Sequence, residues 1–326
     1  MQEFFDYSGS MEIPPEVLEK NKIRRLALVC GLGLLALFVI MCFWGNIYFR
    51  ITGLFGISPK VALNFANHPF ISQLFHILIS AIMIVVPFIV VAKALGFRPT
   101  AEIPLKAPQK GKFWLSVGAG AGVCLFSSFA TNLGGSIFEI FGIEFPGNAS
   151  KLPEGGFGML AVVIATAFFP AFLEEFVMRG IVMGVLRRFG DAFAIFCSAF
   201  VFGIMHASAE QIVFAFVVGL ILGHITVKSG SLWPAIAVHF INNLISVAFS
   251  YLNWNDIAAS LLLVALFAVL FAISVVSLIA LQKKDKDYLR FVGGEVTDAK
   301  KIIWFLTSPT IIISTAAAIL IAFFVR

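Results

Sequence analysis

Two adjacent carboxylates and an arginine lie close together in an otherwise apolar stretch of the sequence. Glu174, Glu175 and Arg179 fall between apolar runs long enough to cross a bilayer. A charged side chain at that depth costs about 2.5 to 3.5 kcal/mol on insertion scales, and such residues persist mainly where they pair or carry out a function. The cluster is therefore a candidate site for proton-transfer chemistry.

Helical spacing predicts different surroundings for the three charged side chains. Glu175 and Arg179 are four residues apart, so they can form an ion pair on one face of a helix. Glu174 is rotated from Glu175 by about 100° and has no such partner on its own helix. We therefore expect Glu174 to be the chemically active carboxylate and the ion pair to support it. The structural alternative is a charged cluster that only holds helices together.

Two histidines and an asparagine can meet Glu174 from later helices. Phe202 lies one turn before His206 and can pack against its imidazole, and His239 and Asn243 share one helix face. Counted from the predicted cytoplasmic helix ends at about 1.5 Å per residue, Glu174 lies ~20 Å, His206 ~22 Å and Asn243 ~18 Å deep. A carboxylate, two imidazoles and an amide at one level suit proton transfer and oxyanion stabilisation.

The elements that must position these residues are membrane helices. Of the 326 residues, 60% are hydrophobic and 13% are charged, whereas soluble domains are about 45 to 50% apolar and about 25% charged. The net charge of +5 does not indicate nucleic acid binding, because the basic residues lie in short loops between apolar runs. The four cysteines stand singly without a C-x-x-C spacing, so they predict neither a disulfide framework nor a thiolate metal site.

The apolar runs predict an all-α fold, a polytopic transmembrane helix bundle of about eight to nine spans. The runs lie at about residues 26–47, 70–95, 113–141, 157–188, 191–207, 210–228, 232–252, 256–282 and 302–325, most of them near or above the ~20 residues that cross a bilayer. The fourth run contains Pro170, which removes a backbone hydrogen bond and is expected to bend the helix one turn before Glu174.

The basic residues predict the orientation of the bundle. With the N-terminus inside, 18 of the 23 lysines and arginines fall in cytoplasmic segments, four fall outside, and Arg179 stays in the membrane. This distribution follows the positive-inside rule. The N-terminal residues lack the apolar core and cleavage site of a signal peptide, so an uncleaved cytosolic tail is expected. We expect an integral, multi-pass protein of a bacterial plasma membrane with a cytoplasmic N-terminus.

The motifs resemble the CPBP family of intramembrane proteases, which includes the type II CAAX prenyl endopeptidases and the Abi-like bacteriocin-immunity proteins. The family pattern is E-E-x-x-x-R, then F-x-x-x-H, then H-x-x-x-N or H-x-x-x-D on successive helices. Across roughly residues 150–250, it is matched in order by Glu174, Glu175 and Arg179, by Phe202 and His206, and by His239 and Asn243.

The resemblance implies a role for each matching residue. Glu174 would be the general base that activates water, with His206 holding that water. His239 and Asn243 would stabilise the oxyanion of the tetrahedral intermediate. The supporting residues would be Glu175, Arg179 and Phe202.

The resemblance also suggests how the chain is divided. Residues 1–25 are expected to form the cytosolic tail and 26–145 the N-terminal membrane helices. Residues 146–252 would be the catalytic core, similar to CAAX proteases. Residues 253–326 would be C-terminal membrane helices with a basic cytosolic loop.

The implied activity is that of an intramembrane endopeptidase. Its partners would be membrane lipid and a membrane-associated peptide or protein substrate, with a prenylated CAAX peptide or a precursor or bacteriocin-type peptide as candidates and no nucleic acid. Two alternatives stay open: a non-catalytic membrane scaffold or immunity protein of the same family, and a proton-coupled transporter. Four polar residues at one depth count against a scaffold, and the lack of internal repeats counts against a transporter.

No cofactor is expected, with zinc as the alternative. Glu174, His206 and His239 compose a two-histidine, one-glutamate set like those of catalytic zinc sites. The sequence has no H-E-x-x-H motif, and Arg179 supplies positive charge near the carboxylates without a metal. A metal-free glutamate mechanism is therefore favoured.

Overall fold

The computed structural model describes residues 14–96, 103–108, 111–122, 125, 155–251, 257–289 and 296–324. Every regular element within these ranges is a helix, which confirms the predicted all-α fold. The helices in chain order are α1 Pro15–Leu54, α2 Pro59–Asn67, α3 Pro69–Ala94, α4 111–122, α5 Gly156–Phe189, α6 Asp191–Met205, α7 Ala209–Ser229, α8 Trp233–Ser250, α9 Ile257–Lys284, α10 Val296–Leu306 and α11 Pro309–Phe324.

The number of spans differs from the predicted eight to nine. In the described part of the chain, six helices are long and apolar enough to cross a membrane, or seven if α10 and α11, bent by 65°, count as one. The predicted span 113–141 falls largely outside the described residues. The predicted span 191–207 is the 15-residue helix α6, which at about 1.5 Å per residue is about 22 Å long and shorter than the ~30 Å hydrocarbon core.

The first helix is longer than the predicted first span. It has 40 residues, which corresponds to about 60 Å. Residues 15–25 of the predicted cytosolic tail therefore form its first turns. Ion pairs of Glu16 with Lys300 and of Glu19 with Lys301 connect this polar start to α10.

Helix α5, which carries the acidic motif, is surrounded by other helices. It packs against α3, α6 and α8, and α7 packs against both α6 and α8. Glycines allow close approach: a Cβ at Gly219 of α7 would lie 2.9 Å from Ala199 of α6, and a Cβ at Gly120 would lie 2.7 Å from Val238 of α8. Small residues at such contacts are typical of membrane helices.

The two glutamates lie between two π-helical segments of α5. Val163–Phe168 and Phe176–Val182 are π-helical, and Phe169–Glu175 between them is α-helical. Segments with i→i+5 hydrogen bonds are rare and are frequent at functional sites. Pro170 lies where the first π segment gives way to the α segment, so its missing N–H falls where the hydrogen-bond pattern changes. The bend predicted at Pro170 stays a prediction, and the structure shows a change in helix type at this residue.

Candidate active site

Glu175 and Arg179 form the predicted ion pair. Nη1 of Arg179 lies 2.8 Å from Oε1 of Glu175, and both side chains are fully buried. Nη2 of Arg179 donates to the carbonyl oxygen of Gly219 at 3.2 Å. The guanidinium carbon lies 4.4 Å from the centre of the Phe202 ring, which is a cation–π contact. The arginine thus connects α5 to α6 and α7.

His239 lies between the two glutamates. Its Nδ1 is 2.8 Å from Oε1 of Glu175, and its Nε2 is 3.8 Å from Oε2 of Glu174. An ionised carboxylate only accepts hydrogen bonds, so Nδ1 carries a proton and donates it to the hydrogen bond with Glu175. Nε2 is then the nitrogen that faces Glu174. The histidine expected to stabilise an oxyanion therefore also contacts the acidic pair.

His206 lies directly after α6 and is oriented by Phe202. Its Nδ1 is 2.8 Å from the carbonyl oxygen of Phe202, which can only accept, so Nδ1 is the protonated nitrogen and Nε2 is left as an acceptor. The two rings meet edge to face, with centroids 4.9 Å apart, as the spacing predicts. Ala207 follows with φ of +45°, in the left-handed region that few non-glycine residues adopt, and reverses the chain towards α7.

Two neighbouring asparagines lie one turn after His239 on α8. Nδ2 of Asn242 is 3.4 Å from Oδ1 of Asn243, so the Asn243 amide nitrogen is directed elsewhere as a donor. Sequence reasoning selected Asn243 as a site residue and did not select Asn242. The position of Asn242 three residues after His239 was the signal that could have identified it.

One cavity of about 630 Å³ brings the predicted residues together. Its wall contains all four residues that were predicted to be catalytic, Glu174, His206, His239 and Asn243. The supporting residue Phe202 also lines it, whereas Glu175 and Arg179 lie behind the wall and are fully buried. Two helices and the end of a third thus present a carboxylate, two imidazoles and an amide to one space.

Glu174 is the carboxylate that faces this cavity. Its side chain is 12% exposed, and its Oε2 atom is buried without a hydrogen-bond partner among the described residues. Oε2 of Glu175 is likewise buried without a partner among the described residues, so the partial exposure of the Glu174 side chain to the cavity is what distinguishes the two carboxylates. Oε1 of Glu175 instead accepts from both Arg179 and His239. The two adjacent carboxylates therefore have different surroundings.

Comparison with known families bears on the same part of the chain. Residues 156–245 match the family model described as Type II CAAX prenyl endopeptidase Rce1-like. The predicted family resemblance is confirmed here. The match contains all three motifs and, at the family level, supports a CAAX-type intramembrane protease. No curated protein and no solved structure matches the chain.

Polar residues that sequence reasoning did not select extend the cavity within the Rce1-like segment and just beyond it. Thr166 lies on α5, eight residues before Glu174, and Gln211 lies at the start of α7. Ser246 and Ser250 lie on α8, four residues apart. Positions four or eight residues apart on a helix share a face, and this spacing was the signal available in the sequence.

The zinc alternative requires three ligands that converge on one point. Within the described ranges, no three histidine, cysteine, aspartate or glutamate side chains are grouped so that they could hold a metal ion. Nδ1 of His239 is bound to Glu175 and Nδ1 of His206 to a backbone carbonyl, contacts that zinc-binding histidines also make with the ring nitrogen that does not bind the metal. As placed, however, Glu174, His206 and His239 do not converge on one point, and the cofactor prediction stays a prediction.

Proposed function

We propose that the protein is an intramembrane endopeptidase that hydrolyses a peptide bond of a membrane-associated polypeptide, with Glu174 activating the attacking water. One observation carries the proposal: Glu174 lines the same cavity as His206, His239 and Asn243, whereas Glu175 lies behind the wall. The Rce1-like match over residues 156–245 supports the same reaction class.

Each polar group in the cavity wall has a role in the proposed reaction. Water bound between the Glu174 carboxylate and Nε2 of His206 loses a proton to Glu174, and its oxygen attacks the peptide carbonyl carbon. The amide nitrogen of Asn243 donates to the oxyanion that forms. The C–N bond then breaks as the proton held by Glu174 passes to the leaving amine. Water and peptide are consumed, and a carboxylic acid and an amine are formed.

The acidic pair behind the wall orients the reacting groups. Glu175 fixes the His239 ring through Nδ1, so that Nε2 points to Glu174. When Nε2 is protonated, it donates towards the reacting carboxylate and the oxyanion beside it. Arg179 supplies a positive charge next to Glu175 and offsets the charge of this carboxylate in the apolar surroundings. These are positioning roles, because neither Glu175 nor Arg179 lines the cavity.

Glu174→Gln is the decisive variant. The amide has the shape of the carboxylate and cannot accept the proton from water, so cleavage of a membrane-anchored peptide is expected to fall by about 10²- to 10⁴-fold. The thermal unfolding midpoint should stay at the wild-type value. Glu16→Gln, the same chemical change at the distant start of α1, is the matched control and should retain full activity. Equal cleavage by Glu174→Gln and wild type would end the hydrolase proposal.

Chelation and transport assays separate the alternatives. Activity is expected to survive exhaustive treatment with a chelator, whereas loss that added zinc restores would favour the metal-dependent reading. Uptake of a solute into liposomes driven by a proton gradient would favour a transporter. Peptide binding without any product by mass spectrometry would favour the non-catalytic scaffold.

A further inference from the structure

One buried polar side chain in the cavity wall is not used by the reaction described above. Asn242 on α8 is 7% exposed and lines the cavity next to Asn243. Burial of a carboxamide is unfavourable unless it is hydrogen-bonded, so the partners of Asn242 indicate what it does. Its Nδ2 donates to Oδ1 of Asn243 at 3.4 Å. Asn242 therefore contacts the side chain to which the oxyanion is assigned.

The helix positions both asparagines beside His239. At about 100° per residue, Asn242 and Asn243 lie on opposite sides of the direction of His239, about 60° and about 40° from it. The hydrogen bond from His239 to Glu175 fixes how α8 is rotated against α5. All three side chains of α8 line the cavity. Asn242 and Asn243 thus reach one space from one helix face.

The hydrogen bond between the asparagines selects one orientation of the Asn243 amide. Rotation of this amide by 180° exchanges Oδ1 and Nδ2 in nearly the same space, so its partners decide which atom lies where. The Nδ2 donor of Asn242 is satisfied only when Oδ1 of Asn243 faces it. Nδ2 of Asn243, on the opposite edge of the amide, is then directed away from Asn242. In the reverse orientation, two N–H groups would face each other.

The orientation of Asn243 matters because several polar groups of the wall present acceptors to the cavity. The hydroxyls of Thr166, Ser246 and Ser250 donate to carbonyl oxygens of their own helices, at 2.8, 3.2 and 2.7 Å. Their oxygen atoms keep lone pairs for the cavity, and Nε2 of His206 is also an acceptor. Donors stabilise an oxyanion, whereas acceptors repel it. A reversed Asn243 amide would add an acceptor where negative charge develops.

We propose that Asn242 is a positioning residue that holds the Asn243 amide with its N–H donor towards the reacting carbonyl oxygen. The proposal rests on the proposed peptidase function. Asn242 exchanges no proton with the substrate and acts only through the hydrogen bond to Asn243. Its contribution is made in the transition state, because the oxyanion exists only after water has attacked. Loss of Asn242 should therefore change kcat and leave KM at the wild-type value.

A double-mutant cycle with a membrane-anchored peptide tests whether Asn242 acts through Asn243. Asn242→Leu keeps the volume and removes the donor, and kcat is expected to fall by about 10-fold, the equivalent of one net hydrogen bond. Asn243→Ala removes the oxyanion donor itself, and kcat should fall by about 10²- to 10³-fold. In the Asn243→Ala background, Asn242→Leu should have no further effect. An equal loss in both backgrounds would overturn the proposal.

A second variant and a matched control separate positioning from folding. Asn242→Ser also removes the amide donor, because its shorter hydroxyl bonds to its own helix. It should show the same loss of kcat and replaces Asn242→Leu in the cycle if the leucine variant does not fold. Asn46→Leu, the same change at an exposed position of α1, should keep the wild-type kcat and unfolding midpoint.

Wild type and Glu174→Gln are measured alongside to distinguish the two proposals. Cleavage by the wild type, its loss in Glu174→Gln, and a wild-type kcat in both Asn242 variants would overturn the positioning role and leave the peptidase function intact. A fall in kcat matched by an equal fall in the folded fraction would also overturn the positioning role. Absence of cleavage by the wild type would overturn the peptidase function, and the role of Asn242 with it.

Discussion

His239 donates from Nδ1 to Oε1 of Glu175 at 2.8 Å, and only its other ring nitrogen faces Glu174, at 3.8 Å. The same oxygen of Glu175 accepts from Arg179 at 2.8 Å. Glu175 therefore binds an arginine from its own helix and a histidine from α8, while the Glu174 side chain lines the cavity. Substitution of Glu174 should therefore mainly reduce activity, whereas substitution of Glu175 should mainly reduce stability.

Glu175→Gln is expected to reduce stability more than any change at Glu174. It leaves the fully buried Arg179 without its counter-charge, and removal of one partner from a buried ion pair costs about 3 to 5 kcal/mol. The measurement is the unfolding midpoint of purified protein in detergent, with Glu174→Gln as the matched control. A midpoint for Glu175→Gln equal to that of the control would show that the ion pair does not stabilise the fold.

Phe202→Leu is expected to lower kcat by a larger factor than its loss of folding stability would explain. The Phe202 ring lies 4.4 Å from the Arg179 guanidinium, and its centroid lies 4.9 Å from His206 and 5.8 Å from His239. Leucine fills much of the same space but provides no ring face, and a desolvated cation–π contact is worth about 2 kcal/mol.

The control for this variant is Phe193→Leu. Phe193 is equally buried on the same helix, and its ring packs against Phe189 and Phe305. We expect it to lose comparable stability while its activity per folded molecule stays at the wild-type value. The same kcat for both variants would mean that Phe202 acts only as a packing residue.

His206→Ala is expected to remove activity and leave the fold intact. Its imidazole binds the carbonyl oxygen of Phe202 through Nδ1 and lines the cavity. Loss of a group that orients the attacking water should reduce kcat by about 10²-fold or more. His224→Ala is the comparison, because His224 contacts the Tyr288 carbonyl and does not line the cavity. Comparable losses at both histidines would contradict a specific role for His206.

Gly219→Ala is expected to destabilise the protein by about 1 to 3 kcal/mol, as overpacking of a tight contact does. The added Cβ would lie 2.9 Å from both Cα and Cβ of Ala199, and the Gly219 carbonyl is also an acceptor for Arg179. Gly45→Ala on α1 meets no atom within 4 Å and should be neutral or stabilising by up to about 1 kcal/mol. Thermal unfolding of the two variants side by side makes the comparison, and equal midpoints would refute the close contact.

Spacing rules predicted the parts of the site that lie on single helices. The Glu175–Arg179 ion pair and the Phe202–His206 ring contact both join residues four apart, and both are present. Helix rise and the loop charges predicted a common level for Glu174, His206 and Asn243, and all three line one cavity.

The contacts between helices could not be predicted in the same way. The bond from His239 to Glu175 depends on how α8 is rotated against α5, and no spacing within one sequence segment encodes that rotation. The π-helical segments also escaped prediction, since their residues are as apolar as those of an ordinary membrane helix. Helix α6 ends at Met205, two residues before the end of the predicted span, because the chain turns at His206 and Ala207, where Ala207 adopts a φ of +45°.

The π-helical segment Val163–Phe168 has a consequence for changes in chain length. Relative to an α-helix, a π turn accommodates one additional residue. Deletion of one residue there would let the backbone revert to α-helical bonding with little loss of hydrogen bonds. The turns on either side would keep their relative orientation, because the π turn and the α turn that replaces it both complete one revolution. This helix should therefore tolerate the loss of one residue in the π segment better than the same loss in the α-helical segment Phe169–Glu175, where it would rotate the preceding turns by about 100° relative to the following ones.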